Sequence, residues 1–248
     1  MIFSKYVIGF YDFWNAFGLG WQVGVRGTQT GFGSRTISTG GILNPTVIDS
    51  RHQQFVTTGF YTRAFEGRGL QGGAVFDYLN NTGFVGTADI KQMRSEISYV
   101  WGYHELGFWG AFNAGKGLGI IQSPGGQPFV NNTVHTYNAF YRVQFGDANE
   151  WKVWGGASHE GQGYVGSILR APMTRSLALE GTFAYLMPGE SKQIPAATPG
   201  LSGSFTPMAW NLGINLVYYP RGRSRRSLAS PYRPLFDVAD NGTMITGF

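Results

Sequence analysis

The histidines and their neighbours are the first residues in this sequence to test for catalysis or metal binding. His52, His104, His135 and His159 have none of the spacings that bring two imidazoles onto one metal ion. Ser158 and His159 are adjacent, so on a strand their side chains would face opposite sides of the sheet. We therefore expect no catalytic residue, no metal site and no cofactor, and we expect that the chain is not an enzyme.

Isolated charges of both signs form a second set of candidates. They stand among glycines and uncharged polar residues, and rings of such charges tune ion selectivity in channels. The candidates for lining a lumen are Arg26, Asp77, Glu96, Arg142, Lys152 and Glu180. They can contact a solute only if the secondary-structure elements that carry them direct these side chains into one common lumen.

The region 221–248 holds a third set, suited to contact with a partner or with lipid headgroups. Its basic run follows the last predicted strand, and a run of this kind either binds phosphate groups or an acidic partner or is a solvated linker. The candidates are Arg221, Arg223, Arg225, Arg226, Tyr232, Arg233, Leu235 and Phe236. We expect the tail to dock, either into its own chain or onto a neighbouring subunit. Nucleic acid is not an expected partner, because no aromatic residues are interleaved with the basic run.

The composition excludes several protein classes. The 248 residues include 38 glycines and no cysteine, and only 13% of them are charged. The usual values are ~7% glycine and ~25% charged residues. With 42% hydrophobic residues the chain is not disordered. The absence of cysteine excludes disulfide scaffolds and thiolate metal sites.

The strongest structural signal is an alternation with a period of two. Phe17, Leu19, Trp21, Val23 and Val25 alternate with glycine and polar residues, and the same pattern recurs along the chain. The repeats are ~9–11 residues long, the length of a strand that crosses a membrane at a tilt. The predicted strands are 17–28, 53–65, 68–79, 92–104, 105–115, 134–146, 150–158, 162–170, 174–187 and 207–219, with 4–13 as a possible addition.

The connections between these strands are of two kinds. Short glycine-containing turns join several pairs, while longer polar links are predicted at 29–51, 80–91, 116–133 and 188–206. Short turns mixed with long loops are typical of outer-membrane barrels. We therefore predict two parts, a β-barrel over 1–220 and a basic linker with a docking tail over 221–248.

The two faces of the predicted strands distinguish a membrane barrel from a soluble fold. One face is aliphatic and aromatic, and the other is mostly glycine and uncharged polar residues, whereas a soluble sandwich usually exposes lysine and glutamate. Aromatic residues also cluster near strand ends, as in an interfacial girdle. The predicted fold is an all-β, antiparallel, up-and-down transmembrane barrel of about 10–12 strands. A soluble β-sheet protein is the alternative.

Five segments resemble an uncharacterised family of planctomycete envelope proteins, a domain of unknown function. They are 20–26 (GWQVGVR), 69–79 (GLQGGAVFDYL), 88–96 (ADIKQMRSE), 105–111 (ELGFWGA) and 231–241 (PYRPLFDVADN). The resemblance implies an exported β-barrel of the bacterial outer membrane, made as a precursor with a signal peptide and further residues before Met1. It supplies no catalytic residue and no settled function.

Three functions follow from these patterns. The first is a structural component of the cell envelope that can also conduct small solutes passively, and that forms a homo-oligomer or a larger complex through its loops and tail. The second is a general porin-type channel. The third is a soluble β-sheet binding protein.

Overall fold

The protein is described from a computed structural model that covers most of the chain. The described residues are 2–14, 18–30, 51–64, 67–83, 86–115, 117–120, 128–190, 192–194, 203–205, 208–219, 224–228, 230 and 233–247. They form sixteen β-strands and no α-helix. Among these residues there is accordingly no helix long and apolar enough to cross a membrane.

The first five strands have 12–16 residues, and the strands after them have ten or fewer. They are β1 (Ile2–Trp14), β2 (Leu19–Thr30), β3 (Arg51–Thr62), β4 (Arg68–Gly83), β5 (Gly86–Trp101), β6 (His104–Asn113), β7 (Gly117–Ile120), β8 (Pro128–Thr133), β9 (Thr136–Phe145), β10 (Asn149–Ser158), β11 (Gly163–Pro172), β12 (Leu177–Leu186), β13 (Lys192–Ile194), β14 (Gly203–Phe205), β15 (Ala209–Tyr218) and β16 (Thr246–Gly247).

One antiparallel sheet dominates the molecule and curls into a half-barrel. Its order is β1-β2-β3-β4-β5-β6-β9-β10-β11-β12-β15, so that each strand pairs with the next one along the main path. The short strands β7, β8 and β16 extend this sheet beside β5, and β13 pairs with β14 separately. Eleven strands on the main path lie within the predicted range of ten to twelve.

The two ends of the sheet differ in their connections. Tight turns at Gly102–Tyr103, Gly146–Ala148 and Met173–Ser176 lie at one end, here called the turn end. The strands β7, β8, β13 and β14 belong to the connections at the opposite end, here called the loop end. Because successive strands run in opposite directions, β15 finishes at the turn end, where the C-terminal tail (221–248) begins.

The sheet has an apolar outer face and a polar inner face. Alternate residues of each strand point to opposite sides. The outer face exposes large apolar side chains, including Leu70 at 69% and Ile214 at 72%. On the inner face, the carboxylates of Asp77 and Glu105 are fully buried. Apolar patches of this size are rare on the surfaces of soluble monomeric proteins.

The described part of the tail covers the inner face. Its residues Leu235 and Phe236 form a cluster with Tyr61 and Val75. Val238, Ala239 and Met244 form a second cluster with Phe55, Leu79 and Ile90. Ile245 joins a third cluster around Trp109, Phe140 and Trp154. The tail is therefore packed against the sheet of its own chain.

The predicted strands are confirmed, but one of the four predicted links is wrong. The link at 80–91 is the continuation of β4 and β5, which stay paired as far as Gly83 and Gly86. Its polar residues pair across the strands, where Tyr78 and Asn80 both donate to Asp89 at 2.7 and 2.8 Å. The links at 116–133 and 188–206 contain the hairpins β7–β8 and β13–β14, which are too short to show a period. Most of the link at 29–51 lies outside the described residues.

Candidate functional site

A network of buried charges lines the inner face of the main sheet. Alternation aims these residues inward from successive strands, and all of them are at most partly exposed. They are Arg26, Asp77, Arg94, Glu96, Glu105, Arg142, Glu150, Lys152, Arg170 and Glu180, which we call the charge network. Five are cationic and five are anionic, so the network as a whole is neutral. Buried charges persist in proteins when they are paired and hydrogen-bonded.

Asp77 on β4 is the most completely satisfied carboxylate of the network. Arg94 on β5 contacts both of its oxygens, from Nε to Oδ2 at 2.5 Å and from Nη2 to Oδ1 at 2.9 Å. The Thr57 hydroxyl donates to Oδ1 at 2.6 Å, and the Gln92 amide donates to Oδ2 at 3.2 Å. Bidentate contacts between arginine and carboxylate are among the strongest hydrogen bonds in proteins. They hold Arg94 firmly against the inner face of the main sheet, here called the wall.

Arg142 on β9 links two carboxylates from neighbouring strands. Its Nη1 donates to Glu105 Oε2 at 2.8 Å, and its Nε lies 3.4 Å from Glu150 Oε1. Glu105 Oε1 also accepts hydrogen bonds from Gln71 Nε2 and from Ser98 Oγ, both at 2.7 Å. Replacement of Arg142 would take a cationic partner away from two buried carboxylates.

The remaining pairs extend the network around the sheet. Lys152 on β10 donates to Glu96 Oε2 at 2.9 Å, and its ammonium group lies 3.9 Å from the centre of the Phe140 ring. Arg170 on β11 lies 3.7 Å from Glu180 and 3.8 Å from Glu150, measured between nitrogen and oxygen atoms. These longer contacts are electrostatic and not strong hydrogen bonds.

The tail adds charges that complete the network. Arg233 contacts both oxygens of Glu150 at 2.6 Å, the tightest ion pair between the tail and the sheet. Asp240 lies 3.1 Å from Arg26, and Asp237 lies 3.3 Å from Arg170. Each pair joins a tail residue to a different strand, so the tail is fixed along its length and not at one point.

Uncharged side chains of the wall also hold the tail backbone. The Gln22 amide donates to the Phe236 carbonyl at 3.0 Å and accepts from the Phe236 N–H at 3.1 Å. The Ala239 N–H donates to the Thr57 hydroxyl at 3.0 Å. The wall therefore satisfies the backbone of a tail that lacks most strand pairing, as burial requires.

The space between the tail and the wall includes a small cavity among the charges and a larger pocket of about 320 Å³ beside the loop end of the tail. A cavity of about 40 Å³ is lined by Glu96, Arg142, Lys152, Phe236 and Asp237, among others. That volume accommodates a few water molecules, since one water needs about 10–15 Å³ measured in this way. The aromatic residues Trp109 and Trp154 also line it. We find in this cavity room for water and not for a solute path.

The turn end carries the first described residues of the tail. The Ser224 N–H donates to the Arg175 carbonyl at 2.9 Å, and the Arg63 guanidinium donates to the Leu228 carbonyl at 2.6 Å. Burial, and next the charge of Arg233, lower the pKa of Arg63 to about 10. Arg63 therefore remains charged at neutral pH and holds the tail where it turns inward.

All six residues predicted to line a lumen lie on the inner face. The structure brings Glu96 and Lys152 into direct contact, and it places Arg142 opposite Lys152 in the register of β9 and β10. Arg26, Asp77 and Glu180 instead face Asp240, Arg94 and Arg170. Their role toward a solute remains a prediction.

Sequence reasoning missed four members of the charge network, although the signal was present. Arg94 is two residues from Glu96, and Glu150 is two residues from Lys152, so alternation places each pair on one face. The same alternation, applied to every strand, identifies all of the missed residues, which are Arg94, Glu105, Glu150 and Arg170. The partners on the tail could not be inferred in this way, because the tail has no period.

The residues predicted to contact a partner or headgroups have different positions. Arg221, Arg223 and Tyr232 lie outside the described residues. Arg233, Leu235 and Phe236 are buried between the tail and the sheet. Arg225 is 49% exposed and pairs with Asp147 at 2.7 Å, and Arg226 lies over the Tyr219 ring at 5.7 Å. Contact of these residues with a partner or with headgroups remains a prediction.

Three of the four histidines lie in aromatic contacts at opposite ends of the sheet. His104 Nδ1 lies 2.6 Å from the Tyr141 hydroxyl near the turn end, and the rings of His135 and His159 are 4.9 Å apart at the loop end. Across the parts of the chain that the structure describes, no three histidine or acidic side chains are grouped so that they could hold a metal ion.

Comparison with known protein families gives one match, to a profile that covers residues 8–246. The chain belongs to DUF6666, a family of unknown function. The matched region runs from β1 into β16 and therefore covers both the main sheet and the tail of this chain. Searches among curated proteins and among solved structures found no match.

Proposed function

We propose that this DUF6666 protein is a bacterial outer-membrane β-barrel that serves as a structural component of the cell envelope. In this proposal the main sheet closes around the tail, the outer face contacts lipid, and the inner face is sealed by the tail. Members of the family are exported, as the resemblance to planctomycete envelope proteins suggests. The loops and the tail end join a homo-oligomer or a larger envelope complex.

The inversion of polarity between the two faces is the observation that carries this proposal. Burying large apolar side chains stabilises a water-soluble protein by about 1.5–3 kcal/mol each, yet here they cover the exposed face from β3 to β15. They include Phe60, Leu70, Met93, Ile97, Phe108, Trp151, Leu169, Phe183, Trp210, Leu212, Ile214 and Leu216. A hydrocarbon environment gives this face a favourable partner, and outer-membrane barrels share the same alternation.

The strand lengths support a membrane location. Every strand on the main path has ten or more residues, while ~9–11 tilted residues cross the hydrocarbon core. Aromatic side chains lie at the turn end of the outer face, where Trp101, His104 and Tyr141 are stacked with ring centres about 6 Å apart. Such rings are enriched where the membrane meets water.

Closure of the sheet is part of the proposal. Lipid-exposed sheet edges leave backbone groups without partners, and they are not found in bilayers. Residues of β1 and β15 approach within 8 Å between Cα atoms, and Arg26 on β2 donates to Asn215 on β15 at 2.9 Å. With eleven strands of alternating direction, β1 and β15 run the same way, so a direct seam would be parallel.

The filled inner face favours a structural role over an open porin. The porin alternative draws on charges of both signs on the wall. Those charges contact one another and the tail, and the space beside them holds only a few waters. The exposed Arg225 at the turn end suits contact with phosphate groups of lipids.

Gel mobility with and without boiling, combined with insertion into liposomes, tests this proposal. We expect detergent-folded protein to run faster before boiling than after it, and to resist extraction from liposomes by carbonate. A protein that stays soluble without detergent, shows no heat-dependent shift and does not insert would contradict the membrane proposal and favour the soluble binding protein.

A further inference from the structure

We propose that the tail is a displaceable plug, and that its withdrawal opens a pore for small hydrophilic solutes. This inference rests on the proposed membrane barrel. It adds an activity that the resting structure does not have, because the described tail occupies the space along the inner face that a solute path would need.

The tail follows the route that a pore through the proposed barrel would take. At the turn end the Ser224 N–H donates to Arg175, and at the loop end the Val134 N–H donates to the Ile245 carbonyl at 2.8 Å. Between these points Arg233, Phe236 and Asp240 contact the inner wall in that order. The tail thus spans the height of the sheet, and the volume it occupies connects the two ends.

The attachment of the tail is of a kind that can be released. The strands of the main sheet are joined by continuous backbone ladders, whereas among the described tail residues only Thr246 and Gly247 join a ladder, with β8. The other polar contacts come mostly from wall side chains such as Gln22, Thr57 and Arg26, together with isolated backbone hydrogen bonds near the two ends of the tail. Water can replace each of these, so the tail can leave without breaking a ladder of the main sheet.

The wall beneath the tail is suited to water. Several of its polar atoms are buried without a protein partner, among them both amide atoms of Asn138, Gln92 Oε1, Thr28 Oγ1 and Thr182 Oγ1. These groups would gain hydrogen bonds in a hydrated lumen, where an unpaired buried polar group no longer carries a desolvation cost. The tail's apolar clusters with Phe55 and Tyr61 favour the plugged state at rest.

The wall charges define the class of solute. Five cations and five anions line the strands, and Arg94 and Arg142 would keep their carboxylate partners Asp77 and Glu105 after the tail leaves. A wall with both signs in balance has weak charge selectivity. The pore should therefore pass small uncharged or zwitterionic solutes and salt ions of either sign.

Conductance of full-length variants in planar bilayers tests the plug. Arg233→Ala removes the tightest ion pair of the tail, and Arg68→Ala is the control, since it removes an exposed arginine at the start of β4, at the turn end. We expect Arg233→Ala to raise the open probability by about ten- to a hundredfold, in line with the loss of one charged hydrogen bond to Glu150 and of the ion pair around it. Arg68→Ala should behave like the wild type.

A cross-link between the tail and the wall should have the opposite effect and keep the pore closed. The chain has no cysteine, and Ala239 lies against Thr57. In an Arg233→Ala background, the pair Thr57→Cys and Ala239→Cys should become silent when the thiols are joined by a short reagent with a cleavable disulfide, and conduct again after reduction. Labelling of a lone Ala239→Cys with an impermeant maleimide reports whether the tail has left the wall.

The outcomes separate the plug from the barrel. Labelling and conductance that rise together in Arg233→Ala support the plug. A variant that inserts and shows the heat-dependent shift, but is labelled without conducting or is never labelled, overturns it. Absence of insertion or of the shift in the wild type would instead contradict the proposed membrane barrel.

Discussion

The two faces of the main sheet come from the same strands, yet they are stabilised by different interactions. The outer face holds separate apolar side chains whose contacts depend on the surrounding medium. The inner face holds charges such as Asp77 and Arg94, which are bonded to each other and to the tail over separations as large as 214 residues. Alternation along a strand determines which face a residue lies on. What that face contacts, either the surrounding medium or the tail, then determines how the residue contributes to stability.

This difference predicts that the largest effects of substitution arise on the inner face. Arg142→Met should lower the free energy of unfolding by about 3–5 kcal/mol, because Glu105 and Glu150 keep their buried charges and lose the guanidinium between them. Urea titration of the folded protein in liposomes measures this loss.

A second variant sharpens that result. Arg142→Met combined with Glu105→Gln removes a charge of each sign, so it should cost less than the sum of the two single substitutions. Additive losses would show that Arg142 and Glu105 do not depend on each other, and would contradict the network.

A smaller effect is expected where glycine allows strands to approach closely. On β10, a Cβ at Gly156 would lie 1.9 Å from the Tyr137 carbonyl oxygen, while at Gly155 the nearest atom would be 4.0 Å away. Gly156→Ala should therefore destabilise the protein by about 1–3 kcal/mol through overpacking. Gly155→Ala should be close to neutral in the same urea titration, and equal losses would contradict the register of β9 and β10.

The smallest effect is expected for the exposed ion pair at the turn end. Arg225 and Asp147 are 2.7 Å apart, but both are largely in solvent. Arg225→Ala should change stability by less than about 1 kcal/mol, because exposed ion pairs are screened and mobile. A larger loss would show that Arg225 has a further contact, such as a lipid phosphate, which a titration in lipids without phosphate groups would remove.

The strands could be predicted because alternation is a local property. Leu19 to Val25 and Leu212 to Tyr218 show it directly, and both segments lie on observed strands. The predicted link 80–91 failed for a physical reason, since Asn80 and Asp89 resemble turn residues in sequence and act as a cross-strand pair in the sheet.

The inner face could be predicted only in part. Alternation predicts that Glu96 and Lys152 lie on the inner face. Their contact, however, joins two residues that are 56 positions apart in the sequence. The contacts of the tail are still less predictable from the sequence. Nothing in the sequence around Gln22 or Phe236 indicates that the amide of one binds the backbone of the other.

The most direct test of the account is a pair of arginine substitutions on exposed apolar residues. Ile214 lies at the middle of β15 and is 72% exposed, and Met173 lies in a turn outside the strands and is 60% exposed. If the outer face contacts lipid, Ile214→Arg should cost about 2–4 kcal/mol of unfolding free energy in liposomes, while Met173→Arg should be close to neutral. Equal and small effects of both substitutions would show that the outer face lies in water and would contradict the membrane barrel.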